Sequence, residues 1–175
     1  MKEYVIWSGR AAVVHRAMQR PGIKSVPYRL GDLGTYPSNL MTSASVFDTY
    51  LHVRYDIATA VGATVRPVDP NALNVTLEWM MTGLGQMNTQ SLSWLDRPVV
   101  VELLGPGGGT WTVGPAGHGA VNATPGDSQG AARVIGSAVE FPLWATLRKQ
   151  WKDSDLEIRG DAESATRFLD GLRII

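Results

Sequence analysis

The chain has no cysteine among its 175 residues. That excludes a disulfide scaffold, a thiolate metal site and a cysteine nucleophile together, so any thiol chemistry needs a thiol carried in by a small molecule. Neither sign of charge is in excess, since 16 Lys and Arg balance 16 Asp and Glu. Partners such as bulk nucleic acid or an anionic membrane surface normally call for a cationic surplus, so neither is expected. No stretch reaches the roughly 18 apolar residues of a membrane span. The opening Met1-Lys2-Glu3-Tyr4 introduces an acid at once and reaches Arg10 without an unbroken apolar run. This is unlike a secretory signal, and a cytoplasmic location is the expectation.

What is present is a globular composition. Hydrophobic residues make up 44% and charged residues 18%, enough apolar material for a folded core. The 19 glycines and 10 prolines predict many turns and argue against a pure helix bundle.

Periodicity changes along the chain. Trp7, Ala11, Val14 and Met18 recur at helical spacing before Pro21-Gly22 ends the run. A Gly/Pro loop from Gly31 to Pro37 follows, with Ser38 or Asn39 to cap the next helix. Leu40, Ala44, Phe47, Leu51, Tyr55 and Ala58 then form a longer stripe ending at Gly62. A third helix begins near Pro70 and carries Leu73, Leu77, Met80, Leu84 and Met87 on one face. Within it, Gly83 and Gly85 each cost roughly 1 kcal/mol relative to Ala. At Asp96-Arg97-Pro98 the pattern switches to β-branched runs. Val99–Leu103 and Thr110–Val113 read as an antiparallel hairpin around Gly105–Gly109, with weaker strands at 121–123 and 132–135. A short helix near 141–147, a strand at 156–158, a helix at 162–169 and a terminal strand or tail complete the reading. The expected class is α+β, with a helical unit over 1–95 and a small mixed unit over 96–175.

Three histidines are candidates for chemistry. Asp48 and His52 are four apart and project from the same side of a helix, on the shoulder of the Phe47/Leu51/Tyr55 stripe. A carboxylate and an imidazole so placed can share a divalent metal, although D-x-x-x-H is short and common and is more often an ordinary helix-surface hydrogen bond or ion pair. His15 borders the first stripe and could face His52 if those helices pack side by side. His118 stands in the turn Ala116-Gly117-His118-Gly119, where solvation is the ordinary outcome. The Gly105–Gly109 loop lacks the Gly-Lys-Ser/Thr of a phosphate loop and leads into a strand, so it reads as a turn. Trp144 and Trp151 flank Arg148-Lys149, and with zero net charge they read as core plugs that leave Arg148 free for one anion.

The tracts Asp48-Thr49-Tyr50-Leu51-His52-Val53-Arg54, Thr76-Leu77-Glu78-Trp79-Met80, Gly105 to Trp111 and Phe141 to Arg148 are ordered along the chain, and Ile158-Arg159-Gly160-Asp161 follows them. Together they resemble the mycothiol-dependent maleylpyruvate isomerase family of actinobacteria. The resemblance implies a partial DinB-like metal-binding helical domain followed by a sterol-carrier-like α+β domain. It implies zinc held by Asp48 and His52, with Asp where many members carry Glu, and Arg148 as the active-site arginine of the C-terminal domain. The family's opening helices, which bear a further metal histidine, have no counterpart here, so the sequence reads as N-terminally short. Its third ligand is lacking unless His15 substitutes. Zinc and mycothiol are the implied cofactors, with a small-molecule substrate and a low-molecular-weight thiol as partners. The implied reaction is thiol addition to a cis double bond, rotation and elimination. The alternative is a truncated module that binds a ligand without turnover. A shortened bundle would also leave the stripes at Trp7/Val14/Met18 and Leu40/Phe47/Leu51 partly uncovered and favour self-association.

Overall fold

Helical spacing governs the chain as far as residue 87, and the computed structural model follows it there; residues 2–174 are described, with side chains from residue 8 onward. Helix α1 spans Lys2–Met18, α2 Leu40–Leu51 and α4 Pro70–Met87. Between the last two, a six-residue π-helical segment, His52–Ile57, carries α2 on into the short α3, Ala58–Ala60. The run then stops at Gly62, whose φ of +63° suits a residue without a Cβ. Helix α4 starts where the sequence predicts. The Asp69 carboxylate accepts the Asn71 N–H at 2.8 Å and Pro70 fills the first turn, a cap worth about 1 kcal/mol. Its stripe of Leu73, Leu77, Met80 and Leu84 is completely buried. Leu40, Phe47 and Leu51 of α2 are buried as well, and the Phe47 ring stacks on Trp79 with centroids 4.4 Å apart.

Two expectations for this half are corrected. It is not purely helical, because Pro27–Arg29 (β1) and Thr35–Pro37 (β2) pair antiparallel with Tyr28 opposite Tyr36. Strand β2 is tied to α4 by one side chain: the Gln86 amide accepts the Thr35 N–H at 2.8 Å and donates to the Thr35 carbonyl at 2.9 Å. That long-range bond, 51 residues apart in sequence, leaves no periodic trace. The α2 stripe Leu40/Phe47/Leu51 is also buried rather than partly uncovered, whereas the described residues of the α1 stripe are incompletely covered, as expected. Ala11 and Val14 are exposed, Met18 is half-buried, and Trp7 lies outside the residues whose side chains are described. Helix α1 packs chiefly on α2, so one neighbour covers only part of its apolar face.

In the second half the expected hairpin is present: Val99–Leu104 (β3) pairs antiparallel with Gly109–Gly117 (β4), with Val101 opposite Trp111. Ala120–Pro125 (β5) extends the meander. The chain then crosses over to place Ala132–Ser137 (β6) parallel to β3, and Glu157–Gly160 (β7) closes the other edge antiparallel. The order is β5-β4-β3-β6-β7. Val99, Val101 and Leu103 enter the core, whereas Glu102 on the opposite face meets Arg133 at 2.7 Å. Phe141–Ala145 (α5) and Ala162–Gly171 (α6) supply Phe141, Trp144, Phe168 and Leu169 to that core. The Gly105–Gly109 turn joins two strands, as expected. The C-terminal residues are an irregular tail held by Asn88, which accepts the Arg173 N–H and donates to the Arg173 carbonyl, both at 2.8 Å. The fold is α+β, and a single core cluster draws on residues from Tyr36 to Ile174, on both sides of Pro98.

Gly85 shows why a poor helix former sits in α4. A Cβ there would collide with the backbone carbonyl of Val121 in β5. The glycine brings helix and sheet together, and close packing offsets its propensity cost.

Candidate functional site

A cavity of about 940 Å³ opens where the two halves meet. Its apolar wall comes from Met18 of α1, Leu30 and Leu33 near the hairpin, Met41 and Phe47 of α2 and Trp79 of α4. Ala145 at the end of α5 and Ile174 of the tail close it from the C-terminal half. Polar groups gather at one side: His15, Ser45, Asp48, His52, Thr146 and Arg148. An apolar hollow with a few converging polar groups is the usual form of a small-molecule site.

Asp48, His52, Arg148 and Thr146 belong to a chain centred on Asp56, which the sequence did not single out. His52 Nδ1 donates to Asp56 Oδ2 at 2.6 Å. Arg148 grips the same carboxylate with two donors, Nε to Oδ1 at 2.9 Å and Nη2 to Oδ2 at 2.7 Å. Its remaining terminal nitrogen, Nη1, donates to Thr146 Oγ1 at 2.9 Å. This fork is the strong, geometrically matched form of a charge-assisted pair. The Arg148 guanidinium, with His52 adding to it, holds the Asp56 carboxyl well below the usual carboxylate range. In return, Asp56 raises the Arg148 pKa.

Asp48, His52 and Arg148 therefore lie at one cavity although Arg148 is 92 residues from Asp56 in sequence. Two details differ from expectation. Arg148 is not free for an anion, because Asp56 already occupies its bidentate face. The Asp48–His52 pair stands at the cavity mouth rather than near the bundle interior, with side chains 71% and 55% exposed. His15 lines the same cavity, where its Nε2 lies 3.3 Å from Ser45 Oγ. His118 sits in an exposed turn with φ +52°, away from the cavity, as expected of a turn histidine. Trp144 is buried and Trp151 half-buried against the core, so both act as plugs.

The donor set can be compared with the zinc that the resemblance implies. With Nδ1 donating to Asp56, the other ring nitrogen, Nε2, faces Asp48 Oδ1 at 3.3 Å. Two acceptors that close need a proton or a cation between them. Zinc bonds of about 2.0–2.2 Å put neighbouring tetrahedral ligands roughly 3.3–3.6 Å apart, so the pair fits two corners of an ion. A carboxylate on the far ring nitrogen is also the usual support for a metal-binding histidine. Catalytic zinc takes three protein ligands, however, and among the described residues no group of three His, Cys, Asp or Glu is placed to hold an ion. The residues present thus fit half of a zinc site and not the whole.

No known family profile matches the sequence. Two uncharacterized proteins of Mycobacterium tuberculosis, MT0041 of strain CDC 1551 / Oshkosh and Rv0036c of strain ATCC 25618 / H37Rv, are each 30% identical over 129 residues. Those residues are 74% of this chain and 44% of each relative, so the chain spans less than half the length of the curated relatives it matches. Among solved structures, the ubiquinone synthesis protein UbiJ-SCP2 is similar at 16% identity and a TM-score of 0.37, over 58% of this chain and 90% of that one. The stereoselective inverting sec-alkylsulfatase Pisa1 from Pseudomonas sp. is similar at 11% identity and a TM-score of 0.39, over 79% of this chain and 30% of that one.

Proposed function

We propose that the chain serves thiol-dependent cis–trans isomerisation of a small unsaturated organic acid, in the manner of the mycothiol-dependent maleylpyruvate isomerases it resembles. The observation that supports this most is the meeting of Asp48, His52 and Arg148 at one largely apolar cavity, after spacing and sequence resemblance together had singled them out. In the reaction, a thiolate sulfur adds to one carbon of the cis double bond. The remaining single bond rotates, and expulsion of the same thiolate restores the double bond as trans, so atoms and electrons balance. Asp56 fixes the His52 ring so that Nε2 and the Asp48 carboxylate face each other at the mouth, a place that can hold the proton lost by the thiol. Arg148 binds a substrate carboxylate in a charge-assisted contact once Asp56 gives up its fork. The lack of cysteine is compatible with a borrowed thiol.

A second reading, a module that binds the acid without turnover, is favoured by the lack of a third metal ligand among the described residues. One experiment separates them: maleylpyruvate isomerisation followed by absorbance with mycothiol, with and without added zinc, alongside elemental analysis of the purified chain. The isomerase reading expects turnover that requires the thiol and falls by about 100-fold or more in His52→Ala and Arg148→Ala. Saturable maleylpyruvate binding without thiol-dependent turnover under any condition would leave the module. On two ligands, the chain is expected to purify with far less than one zinc per molecule.

A further inference from the structure

The cluster at the cavity mouth hangs on one carboxylate. Asp56 Oδ2 receives both His52 Nδ1 at 2.6 Å and Arg148 Nη2 at 2.7 Å, while Oδ1 receives Arg148 Nε at 2.9 Å. The two partners come from opposite halves of the chain. His52 begins the π-helical segment and Asp56 lies one residue before its end, so both stand on the widened turn. Such turns recur at functional positions because they re-aim side chains at the cost of regular hydrogen bonding. Among the described residues Arg148 pairs with no second carboxylate: its other side-chain bond is to the neutral Thr146 hydroxyl.

We propose that Asp56 is a positioning residue that orients His52 through Nδ1 and holds Arg148 in reserve, and that an anionic ligand of the carboxylate class displaces Asp56 from the guanidinium as it binds. The inference rests on the cavity being an anion site, as in the isomerase reading, but it does not need turnover. A ligand carboxylate and Asp56 compete for the same face of Arg148. The apparent affinity is therefore reduced by the fraction of time Arg148 is engaged, and removing the competitor tightens binding. After displacement Asp56 keeps its bond to His52, so the ring stays aimed at Asp48 while the substrate takes the cation.

The test uses the purified chain, maleate as the anionic probe and no thiol. Calorimetric titration of wild type, Asp56→Ala and Asp56→Asn is combined with nitrogen-resolved NMR of the His52 ring. The expected result is maleate affinity higher by about threefold or more in both variants. In the Arg148→Ala/Asp56→Ala double variant, that affinity is lost. The Nδ1-bound hydrogen resonance of His52 is expected in wild type and in Asp56→Glu, but not in Asp56→Ala. A merely structural Asp56 would instead give weaker maleate binding alongside a lower melting temperature, with Asp56→Asn following it. Equal or weaker maleate binding in both variants overturns the proposal, as does maleate binding to none of the proteins or an unchanged His52 resonance in Asp56→Ala. Because no step involves thiol or catalysis, the isomerase reading can fail while this one stands, and the reverse.

Discussion

Helices α1 and α4 are nearly equal in length, 17 and 18 residues, and both carry apolar residues at helical spacing. Their fates differ. In α4, Leu73, Leu77, Met80 and Leu84 are wholly buried, because α2 lies on one side and the sheet on another. In α1, Val13 is 63% and Val14 51% exposed. Among the described residues, every large exposed apolar side chain except Leu104 and Leu147 precedes residue 66. Period tells which residues share a helix face. Whether anything covers that face depends on neighbours, and α1 has few.

The largest expected effect sharpens this contrast. Leu77→Ala in α4 should destabilise the protein by about 2–5 kcal/mol in urea unfolding, whereas Val14→Ala in α1 should stay within about 0.5 kcal/mol of wild type. Comparable losses in the two variants would mean that α1 is as well covered as α4. Gly85→Ala comes next. Despite its better helix propensity, it should cost roughly 1–3 kcal/mol, since the added methyl meets the Val121 carbonyl. A gain in stability would show that helix and sheet can separate freely.

The link between the halves has its own pH dependence. The Asp56 carboxyl titrates below its unfolded value, so its contribution is present above the ordinary carboxylate pKa of about 4 and is lost as pH falls toward the folded value. The difference in unfolding midpoint between wild type and Asp56→Asn should accordingly be constant above about pH 5 and shrink below about pH 4. With Asp56 partly exposed the difference is modest, and one that grew on acidification would contradict the Arg148 pairing. The smallest effect concerns the uncovered face. Replacing Val13 and Val14 together with Glu should leave unfolding nearly unchanged while reducing self-association at high concentration, as read by analytical ultracentrifugation. A wild-type protein that stays monomeric throughout would remove that expectation.

Much of the local structure was legible before any contact was known. The Asp69-Pro70 start of α4, the Gly62 stop and the Val99–Leu103/Thr110–Val113 hairpin are decided by capping, φ preference and period-two alternation, all written within a few residues. The hairpin at 27–37 was missed because its strands are three residues each and rely on Gln86 for support. Asp48 and His52 could be named from i, i+4 spacing together with the resemblance. Asp56 lies at the same spacing from His52, a signal that could have found it, yet nothing local marks it as the acid that Arg148 would choose.

Sequence by itself thus determined the main helices and the strands after Pro98, the balanced charge, the need for an external thiol in any thiol chemistry and the faces on which apolar residues align. These follow from backbone preference and short-range periodicity, which are properties of neighbouring residues. Tertiary structure alone decided that the α4 stripe is buried while Val13 and Val14 of α1 are exposed, that Gly85 is required by β5, and that Arg148 reaches across 92 residues to Asp56. Those outcomes depend on which surfaces meet, and a packed core or a two-pronged ion pair forms only between groups that the whole fold has brought together.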